Sequence, residues 1–503
     1  MTPIVLVIPL LAAFMVMMPS PTRVKATLAL AGAVLTFIAA LFLPTSAPVE
    51  MLWLPGIEVY FLLDPSGAAS VLVAVAAFVM IPTLLYASNR VTEHPGAMLA
   101  LLLAMQAGLN GVFLAKDLVL FYIFWEVTLI PSLLMLGVWG GKARRQTTVK
   151  YLLYAVTGSF LMLVAILALR PLSGAASYRI DDLLAVTPLL DLQVQLWLFT
   201  GFALAFAVKL PLWPLHSWLP DFHEQNHPSG VADVAGTLYK VGGWGFFAWA
   251  LPLFPDAARA ASPVLMGFAA FTAVYAAMIA ISQTHLKRLL AYASLSHMGV
   301  VGVGVFGLHI AGLSGAMYLL AAQMVTTGGL FLISGMLYER RGSFELDRFG
   351  GLAKSAPTLA AITLIILFGS IGVPGLANFP GEFMSLLGAF QTSAWLGGFA
   401  TLAVIAAGIY GVNLYQRLYQ GKAEHGAVAD VGRLELLVLI PLLAATIWLG
   451  VFPNPQLRAI EVQSEIAQNQ LTRPVAERAP VLDPATTLNP SELSATVRPG
   501  GQP

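Results

Sequence analysis

The sequence predicts an all-α integral membrane protein with about fourteen transmembrane helices. Three observations support this: 58% of the 503 residues are hydrophobic, only 10% are charged, and long apolar runs alternate with short polar loops. Soluble domains carry about 25% charged residues, and a helix that spans a bilayer needs about 20 mostly apolar residues. A soluble fold of this size could not bury so much apolar surface, so most of the chain is expected to lie in lipid.

The predicted spans, numbered 1 to 14, follow one another as far as Pro453. The N-terminal stretch MTPIVLVIPLLAAFMVMM lacks the basic region of a signal peptide and is expected to form span 1. The residues after Pro453 are polar and rich in proline, which favours a mostly irregular tail. The spans centre near residues 11, 35, 78, 105, 127, 160, 202, 240, 272, 297, 325, 375, 405 and 442.

Basic residues are distributed unequally between alternate loops. One set of loops holds sixteen Lys and Arg residues, whereas the other set holds four. Because Lys and Arg stay on the cytoplasmic side, this asymmetry predicts that both termini are extracytoplasmic. The net charge is +1 and the basic residues are scattered, so nothing indicates a nucleic-acid partner.

Two spans carry clustered helix breakers. Span 7 contains Pro211 and Pro214, and span 12 contains Pro374 and Pro380. Proline removes a helix hydrogen bond, so both helices are expected to be broken. Broken helices at corresponding places in two halves indicate a transport site built from inverted repeats. The predicted divisions are spans 1–3 (1–90), a first five-helix repeat of spans 4–8 (91–255), a second, inverted repeat of spans 9–13 (256–422), span 14 (423–453) and the polar tail (454–503).

Four charged residues lie where a charge is costly. Glu126 is in the middle of span 5, and Lys209 precedes the break in span 7. Lys240 is in the middle of span 8, and Glu382 follows the break in span 12. Such a charge costs roughly 2.5–3.5 kcal/mol, so it is taken as functional unless it locks helices together or extends to the interface. A carboxylate that approaches and leaves a buried lysine permits proton exchange without a cofactor.

Small residues surround Lys240 in the sequence. Gly236, Gly243 and Asp233 are expected on the same helical face as this lysine. That arrangement suits a hydrated half-channel, and glycine also allows close packing of helices.

The stretch HEQNH, from His223 to His227, matches the zinc-protease pattern H-E-x-x-H. Pro228 pushes His227 away from helical geometry, so the two imidazoles are not expected to face one metal. An intramembrane zinc protease is therefore an unlikely alternative, and His223, Glu224 and His227 are interpreted as surface groups of a cytoplasmic turn. The chain has no cysteine, which excludes thiolate ligands and disulfides within it.

Five stretches together resemble one family: FYIFWEVTLIPSLLMLGVWGG, VKLPLWPLHSWLPDFH, LYKVGGWG, THLKRLLAYASLSHMG and ANFPGEFMSLLGAFQ. They are similar to the antiporter-like subunits of respiratory complex I, and among these to chain M of bacterial NADH:quinone oxidoreductase. The resemblance covers about residues 60–450. It implies a proton-translocating, non-redox subunit in the bacterial inner membrane, next to other membrane-arm subunits that include neighbouring antiporter-like ones.

The resemblance also implies roles for individual residues. The span 5 glutamate would pair with the span 7 lysine, the span 8 lysine would link two half-channels, and the span 12 glutamate would face the exit. Two histidines would join a polar axis, although each could instead be a hydrogen-bonded packing residue. No cofactor or metal is expected in this chain, while NADH, FMN, iron–sulfur clusters and quinone would bind to partner subunits. The proton path would comprise Glu126, Lys209, Lys240, Glu382, His216 and His297.

Two features bear on the alternatives. Gln323 stands where many family members have a histidine, and glutamine can hydrogen-bond a water wire but cannot titrate. A related subunit of a multisubunit cation/proton antiporter or of a membrane-bound hydrogenase remains an alternative function. Glu382 favours the chain M type, because several relatives have a lysine there.

Overall fold

The computed structural model describes residues 2–238, 241–422 and 426–472. Lys240, one of the predicted site residues, lies outside the described residues. A π-helical segment, Phe246–Ala250, joins α11 to α12. The α-helices within these ranges are α1 Ile4–Met17, α2 Thr22–Leu41, α3 Ala68–Arg90, α4 Pro95–Leu114, α5 Leu118–Trp139, α6 Arg144–Ser173, α7 Ile180–Leu184, α8 Leu192–Lys209, α9 Trp218–Gln225, α10 Val231–Leu238, α11 Gly242–Gly245, α12 Leu251–Leu253, α13 Pro255–Ser282, α14 Leu286–Phe306, α15 Ile310–Arg341, α16 Pro357–Ser370, α17 Asn378–Thr392, α18 Ala394–Tyr419, α19 Arg433–Val451 and α20 Asn454–Thr472.

Most of these helices match the predicted spans. In the described part of the chain, eleven helices are long and apolar enough to cross a membrane, and α1 and α16 are shorter apolar helices. The prediction of an all-α membrane protein is therefore confirmed. Predicted span 7 is divided into α8 and α9, and span 12 into α16 and α17. In span 8, α10 lies before the undescribed residues 239–240, and α11 and α12 lie after them. The count of fourteen and the inverted repeats fit this division and remain predictions.

The centre of the bundle is formed by α14 and α15. Every residue of α15 from Gly312 to Leu337 is buried. Glycines let neighbouring backbones approach this helix: a Cβ added at Gly315 would lie 2.5 Å from the backbone nitrogen of Ser385 in α17. Small residues at such crossings allow the close contacts that hold transmembrane helices together.

The outer helices expose apolar side chains instead of polar ones. Trp395 at the start of α18 is 89% exposed, and Trp197 in α8 is 72% exposed. Val164 in α6 is 64% exposed. Such a surface is stable only against hydrocarbon, which agrees with the predicted lipid environment.

A β-hairpin, which the sequence analysis did not predict, lies between α2 and α3. Strand β1 (Val49–Leu54) pairs antiparallel with β2 (Val59–Leu63) around a turn at Pro55–Ile57. Arg179, in the loop after α6, connects the hairpin to α7, because its guanidinium lies 2.5 Å from Glu50 Oε1 and 3.1 Å from Asp182 Oδ2. The hydrogen bonds from Arg179 hold the pKa of Asp182 below its usual range.

The prediction of a mostly irregular tail is wrong for residues 454–472, which form α20. Ile460, Ser464, Ala467 and Leu471 are buried at helical spacing, so α20 presents one packed face. Gln463 Oε1 accepts a hydrogen bond from the backbone N–H of Ala68, at the start of α3. The polar composition reflects the opposite face of α20; the rest of the predicted tail, 473–503, lies outside the described residues.

Candidate functional site

Lys209 is the last residue of α8, directly before the break that separates α8 from α9. It is 3% exposed, and its Nζ lies 5.3 Å from the centre of the Trp125 ring on α5. The carboxylate of Glu126, the next residue on α5, interacts electrostatically with this lysine. The C-terminal end of a helix carries a partial negative charge, which also favours an ammonium at this position. Glu126 and Lys209 thus lie on packed helices, within range of an electrostatic interaction.

The break itself, residues 210–217, is held by hydrogen bonds to neighbouring helices. The backbone N–H of Trp213 donates to Thr272 Oγ1 on α13 at 2.9 Å. Lys150 Nζ donates to the carbonyl oxygen of Ser217 at 2.8 Å, and the hydroxyls of Tyr154 and Ser217 are 2.9 Å apart. These contacts replace the helix hydrogen bonds that Pro211 and its neighbours interrupt, as expected for non-helical backbone at membrane depth.

His216 lies in this break and is buried. Its ring packs edge-on against Tyr275 of α13, with the ring centres 5.5 Å apart. Its Nδ1 has no hydrogen-bond partner among the described residues. His216 thus lies after Lys209 in the chain, and its Nδ1 could accept or donate a further hydrogen bond. The structure shows no contact between His216 and another predicted site residue within the described part of the chain.

A second pair of ionisable side chains lies at the break between α16 and α17. Glu382 in α17 lies 2.9 Å from His297 of α14, measured from Oε1 to Nδ1. His297 Nε2 is 3.2 Å from the hydroxyl of Tyr410 on α18. All three side chains are buried. The sequence analysis placed His297 and Glu382 on one polar axis but did not predict that they contact each other. Tyr410 is a further contact of His297 that the sequence analysis did not predict.

Gly372 explains why the break in span 12 can hold Glu382. Its φ is +76°, and an added Cβ would lie 2.0 Å from Glu382 Oε2. Any other residue at position 372 would therefore have a strained backbone conformation, and its Cβ would clash with the Glu382 carboxylate. Asn378, at the start of α17, donates to the carbonyl oxygen of Ser370 at 2.7 Å and closes the break.

The glycines beside Lys240 serve helix packing. A Cβ at Gly236 would lie 2.6 Å from the ring of Phe222, and one at Gly243 would lie 3.1 Å from Leu320 and Val301. The space next to both glycines is thus filled by neighbouring side chains, which contradicts the half-channel interpretation of these two positions.

A third group of charges, which the sequence analysis missed, lies at the end of the bundle that carries most basic residues. Three side chains contact the carboxylate of Asp233 in α10: His223 through Nδ1 at 3.0 Å, Asn226 through Nδ2 at 3.1 Å and Lys287 through Nζ at 2.7 Å. His223, Asp233 and Lys287 are each 0% exposed. Lys287 also donates to the carbonyl oxygen of Asn226 at 2.9 Å. We call these four residues the Asp233 cluster.

The Asp233 cluster changes the interpretation of HEQNH. Helix α9 ends at Gln225, so the prediction that His227 does not continue the helix is confirmed. His227 Nδ1 is hydrogen-bonded to Ser229 Oγ at 2.8 Å, whereas His223 Nδ1 is hydrogen-bonded to Asp233 Oδ1. The expectation that His223 is a surface group is wrong, because the α15 residue Phe331 stacks on its ring at 4.4 Å. In the described residues no group of three His, Asp or Glu side chains is suited to a metal.

Charged residues surround a cavity of about 350 Å³ next to the Asp233 cluster. Asp221 accepts from Lys150 at 2.8 Å and from Arg288 at 3.1 Å, and Glu224 lies 2.5 Å from Arg288. These side chains are partly exposed. They form a polar surface between the solvent side of the bundle and the buried cluster.

Two interrupted helices, each with a charged residue at its break, define an ion-translocating membrane protein. A family profile described as NADH:quinone oxidoreductase/Mrp antiporter, TM, matches residues 115–409. The chain belongs to this family.

Individual relatives agree with this assignment. The chain is 43% identical to NADH-quinone oxidoreductase subunit 13 of Thermus thermophilus over 86% of its own length and 92% of the relative's. It is 35% identical to NADH-quinone oxidoreductase subunit M of Rhodobacter capsulatus, over 87% of its own length and 89% of the relative's. A chain in the structure of respiratory complex I from Thermus thermophilus with bound NADH has a TM-score of 0.90 and 40% identity, with 94% of this chain and 100% of that chain covered. The expected resemblance to chain M is confirmed.

Proposed function

We propose that this chain is a proton-translocating membrane-arm subunit of NADH:quinone oxidoreductase and carries no redox chemistry itself. The 43% identity to subunit 13 of Thermus thermophilus, over nearly the whole relative, is the observation that carries this proposal. The structure adds the chemistry: the partly buried Glu126 interacts with a lysine beside one break, and the buried Glu382 lies against a histidine beside the other.

The first proton-exchanging unit is Glu126 with Lys209. Movement of the Glu126 carboxylate relative to the Lys209 ammonium would change the affinity of the lysine for a proton, since a nearby opposite charge stabilises the charged form. Glu126 Oε1 has no hydrogen-bond partner within the described residues, so the carboxylate is not fixed on that side. A break next to Lys209 supplies backbone that can adjust between two arrangements.

The second unit is Glu382 with His297. Glu382 Oε1 and His297 Nδ1 lie 2.9 Å apart without an aligned hydrogen bond, so a small rotation of either side chain would open a direct path for a proton. The hydroxyl of Tyr410 lies 3.2 Å from the other ring nitrogen. We assign Glu382 to the exit side, as the family pattern implies.

Lys240, His216 and Gln323 are proposed to connect the two units. Gln323 Oε1 accepts from Thr327 at 3.0 Å, while its Nε2 has no partner in the described residues. Buried polar atoms without a protein partner are commonly bonded to ordered water, so His216 Nδ1 and Gln323 Nε2 are suited to a water-mediated path. Gln323 would carry protons only as part of a hydrogen-bonded chain.

The membrane orientation and the partners are also proposals. We place the chain in a bacterial inner membrane with both termini extracytoplasmic, so the Asp233 cluster would face the cytoplasmic, proton-uptake side. Glu126 is only partly buried in the isolated chain, beside Val127, which is 36% exposed. Because a lipid-facing carboxylate is costly, this face of α5 is suited to a neighbouring antiporter-like subunit. NADH, FMN, iron–sulfur clusters and quinone are assigned to partner subunits.

Purification through a tag on this chain in mild detergent tests the proposal. We expect polypeptides that oxidise NADH and reduce quinone to co-purify, together with NADH:quinone oxidoreductase activity. Isolation with cation/proton antiporter subunits or hydrogenase subunits alone would assign the chain to one of those complexes instead.

Gly372→Ala is expected to impair proton pumping more than Gly375→Ala does. Both glycines lie in the same break with positive φ, +76° and +87°, but only a Cβ at Gly372 meets another group, the Glu382 carboxylate. Each substitution should cost about 1–2 kcal/mol of backbone strain. Gly372→Ala should in addition displace Glu382 from His297.

Two measurements separate the backbone strain from the displacement of Glu382: thermal stability reports the strain, and NADH-driven proton uptake into inverted vesicles reports the displacement. Similar stability losses with a pumping defect confined to Gly372→Ala are expected. Equal pumping in the two variants would contradict the role assigned to the Glu382–His297 contact.

A further inference from the structure

A continuous groove runs along the outer surface between α6 and α8. It consists of three cavities of about 570, 350 and 480 Å³ that share lining residues, Leu153 between the first two and Leu161 and Leu204 between the last two. We call this surface the α6/α8 groove. It extends from Arg145 near the start of α6 to Leu172 near its end.

Small residues form the floor of this groove. A Cβ added at Gly158 would lie 3.1 Å from Ala205 Cα, and one at Gly201 would lie 2.9 Å from the carbonyl oxygen of Leu161. The two helix backbones are therefore in close contact, and the larger side chains of Leu153 and Leu204 stand beside them as walls. The depression is a consequence of this packing.

The dimensions of the groove decide what can occupy it. From Leu153 to Leu161 the helix rises about 12 Å, and the whole space between atoms in this cavity, about 690 Å³ including open solvent, gives a mean cross-section of at most about 60 Å². From Leu161 to Leu172 the rise is about 16 Å, and the whole space between atoms, about 950 Å³, gives at most about 60 Å² again. A helix about 10 Å across has a cross-section of about 80 Å². The groove is too narrow for a helix and suits extended hydrocarbon chains.

The basic end of the groove is polar and is lined by α6 residues alone. Its cavity of about 570 Å³ is lined by Arg145, Gln146 and Lys150. Lys150 is paired with Asp221, but Arg145 is exposed and has no ion-pair partner in the described part of the chain. Lys142 lies three residues before Arg145 and is also exposed. Basic pockets at the cytoplasmic ends of transmembrane helices attract anionic lipid headgroups.

We propose that the α6/α8 groove binds an anionic phospholipid. The phosphate lies at Arg145 and Gln146, and an acyl chain follows the groove past Leu153 and Gly158 to Leu161. Tyr154 lines this part of the groove, and its hydroxyl is 2.9 Å from Ser217 Oγ in the break after Lys209. The bound lipid therefore contacts a residue that holds the proton-exchanging break in place.

Photo-labelling of the intact membrane complex tests this proposal. The complex is reconstituted into nanodiscs with phosphatidylglycerol or phosphatidylcholine that carries a diazirine in the acyl chain, and labelled peptides are mapped by mass spectrometry. Phosphatidylglycerol is expected to label the groove segments of α6 and α8 about fivefold more than phosphatidylcholine does, since one basic residue near the surface contributes about 1 kcal/mol. Arg145→Gln should remove this preference.

Matched variants distinguish the groove from the general lipid surface. Thr157→Trp places a large side chain in the groove and should reduce labelling by both lipids, whereas Leu167→Trp alters an exposed α6 position outside it. Arg348→Gln, at an exposed position in another basic loop, controls for loss of charge. Leu167→Trp and Arg348→Gln should label like the unmodified complex.

Three outcomes would overturn the proposal. One is equal labelling of the groove by the two lipids, and another is labelling that Thr157→Trp does not reduce. The third is labelling by neither lipid, with α6 chemically crosslinked to another polypeptide instead, which would assign the groove to a neighbouring subunit.

Discussion

Replacement of Lys209 by alanine is expected to abolish NADH-driven proton pumping while the complex still assembles. Lys209 is 3% exposed at the end of α8, and Glu126 on α5 interacts with it electrostatically. Without the amine this step has no group that binds and releases a proton. A positioned proton-transfer group contributes about 10²–10⁴-fold, so the rate of coupled pumping should fall at least about 100-fold.

Two further variants show whether titration or charge is required. Lys209→Arg keeps a positive charge near Glu126 but cannot release its proton, so it should fail like Lys209→Ala. Glu126→Gln should also abolish proton pumping, because it removes the negative charge that changes the proton affinity of Lys209. Lys354→Ala, at an exposed loop lysine, is the control and should pump normally. Pumping would be followed as acidification of inverted vesicles per NADH oxidised; a normal ratio in Lys209→Ala would refute the assignment.

Lys287→Met should strongly destabilise the protein. Lys287 is 2.7 Å from Asp233, and both side chains are 0% exposed. Removal of one member of a buried ion pair typically costs about 3–5 kcal/mol, because the other charge stays buried without its partner. We therefore expect a large fall in thermal stability and in the amount of assembled complex on native gels.

Lys150→Met provides the comparison for this prediction. Lys150 is also paired with an aspartate at 2.8 Å, but the two side chains are 36% and 34% exposed. An exposed pair contributes about 0–1 kcal/mol and the hydrogen bond from Lys150 to the Ser217 carbonyl about 0.5–1.5 kcal/mol, so Lys150→Met should destabilise the protein less than Lys287→Met does. The double variant Lys287→Met with Asp233→Leu should recover part of the stability, because it removes the unpaired charge as well. If Lys287→Met were no more destabilising than Lys150→Met, the Asp233 cluster would not have the structural role assigned to it.

Local features of the sequence account for the part of the site that could be predicted. Prolines cluster at both breaks, Pro211 with Pro214 and Pro374 with Pro380, and this clustering was sufficient to expect two interrupted helices. Single prolines such as Pro82 and Pro131 lie inside the continuous helices α3 and α5. A charge in an apolar run is costly in any fold, so Glu126, Lys209 and Glu382 could be recognised individually. The partner of each charge was less evident, and the direct contact of His297 with Glu382 appears only in the structure.

The Asp233 cluster could not be predicted, because its partners are distant in sequence and each has an ordinary local interpretation. Lys287 resembled a loop residue that obeys the charge asymmetry of the loops, and His223 belonged to a short polar stretch. Only the approach of α9, α10 and α14 buries them together. In the same way, the polar composition after Pro453 concealed α20, whose four buried residues match the surface of the bundle.

The complete burial of α15 has a consequence for the pattern of tolerated substitutions along the chain. A helix at the lipid boundary, such as α6, has a stripe of positions that accept any apolar side chain, repeated about every 3.6 residues. From Gly312 to Leu337, α15 has no such stripe, because each residue is enclosed by other helices. A saturation mutagenesis profile should therefore lose its helical periodicity in α15 and keep it in α6. The absence of periodicity would mark α15 as the helix around which the other described helices are packed.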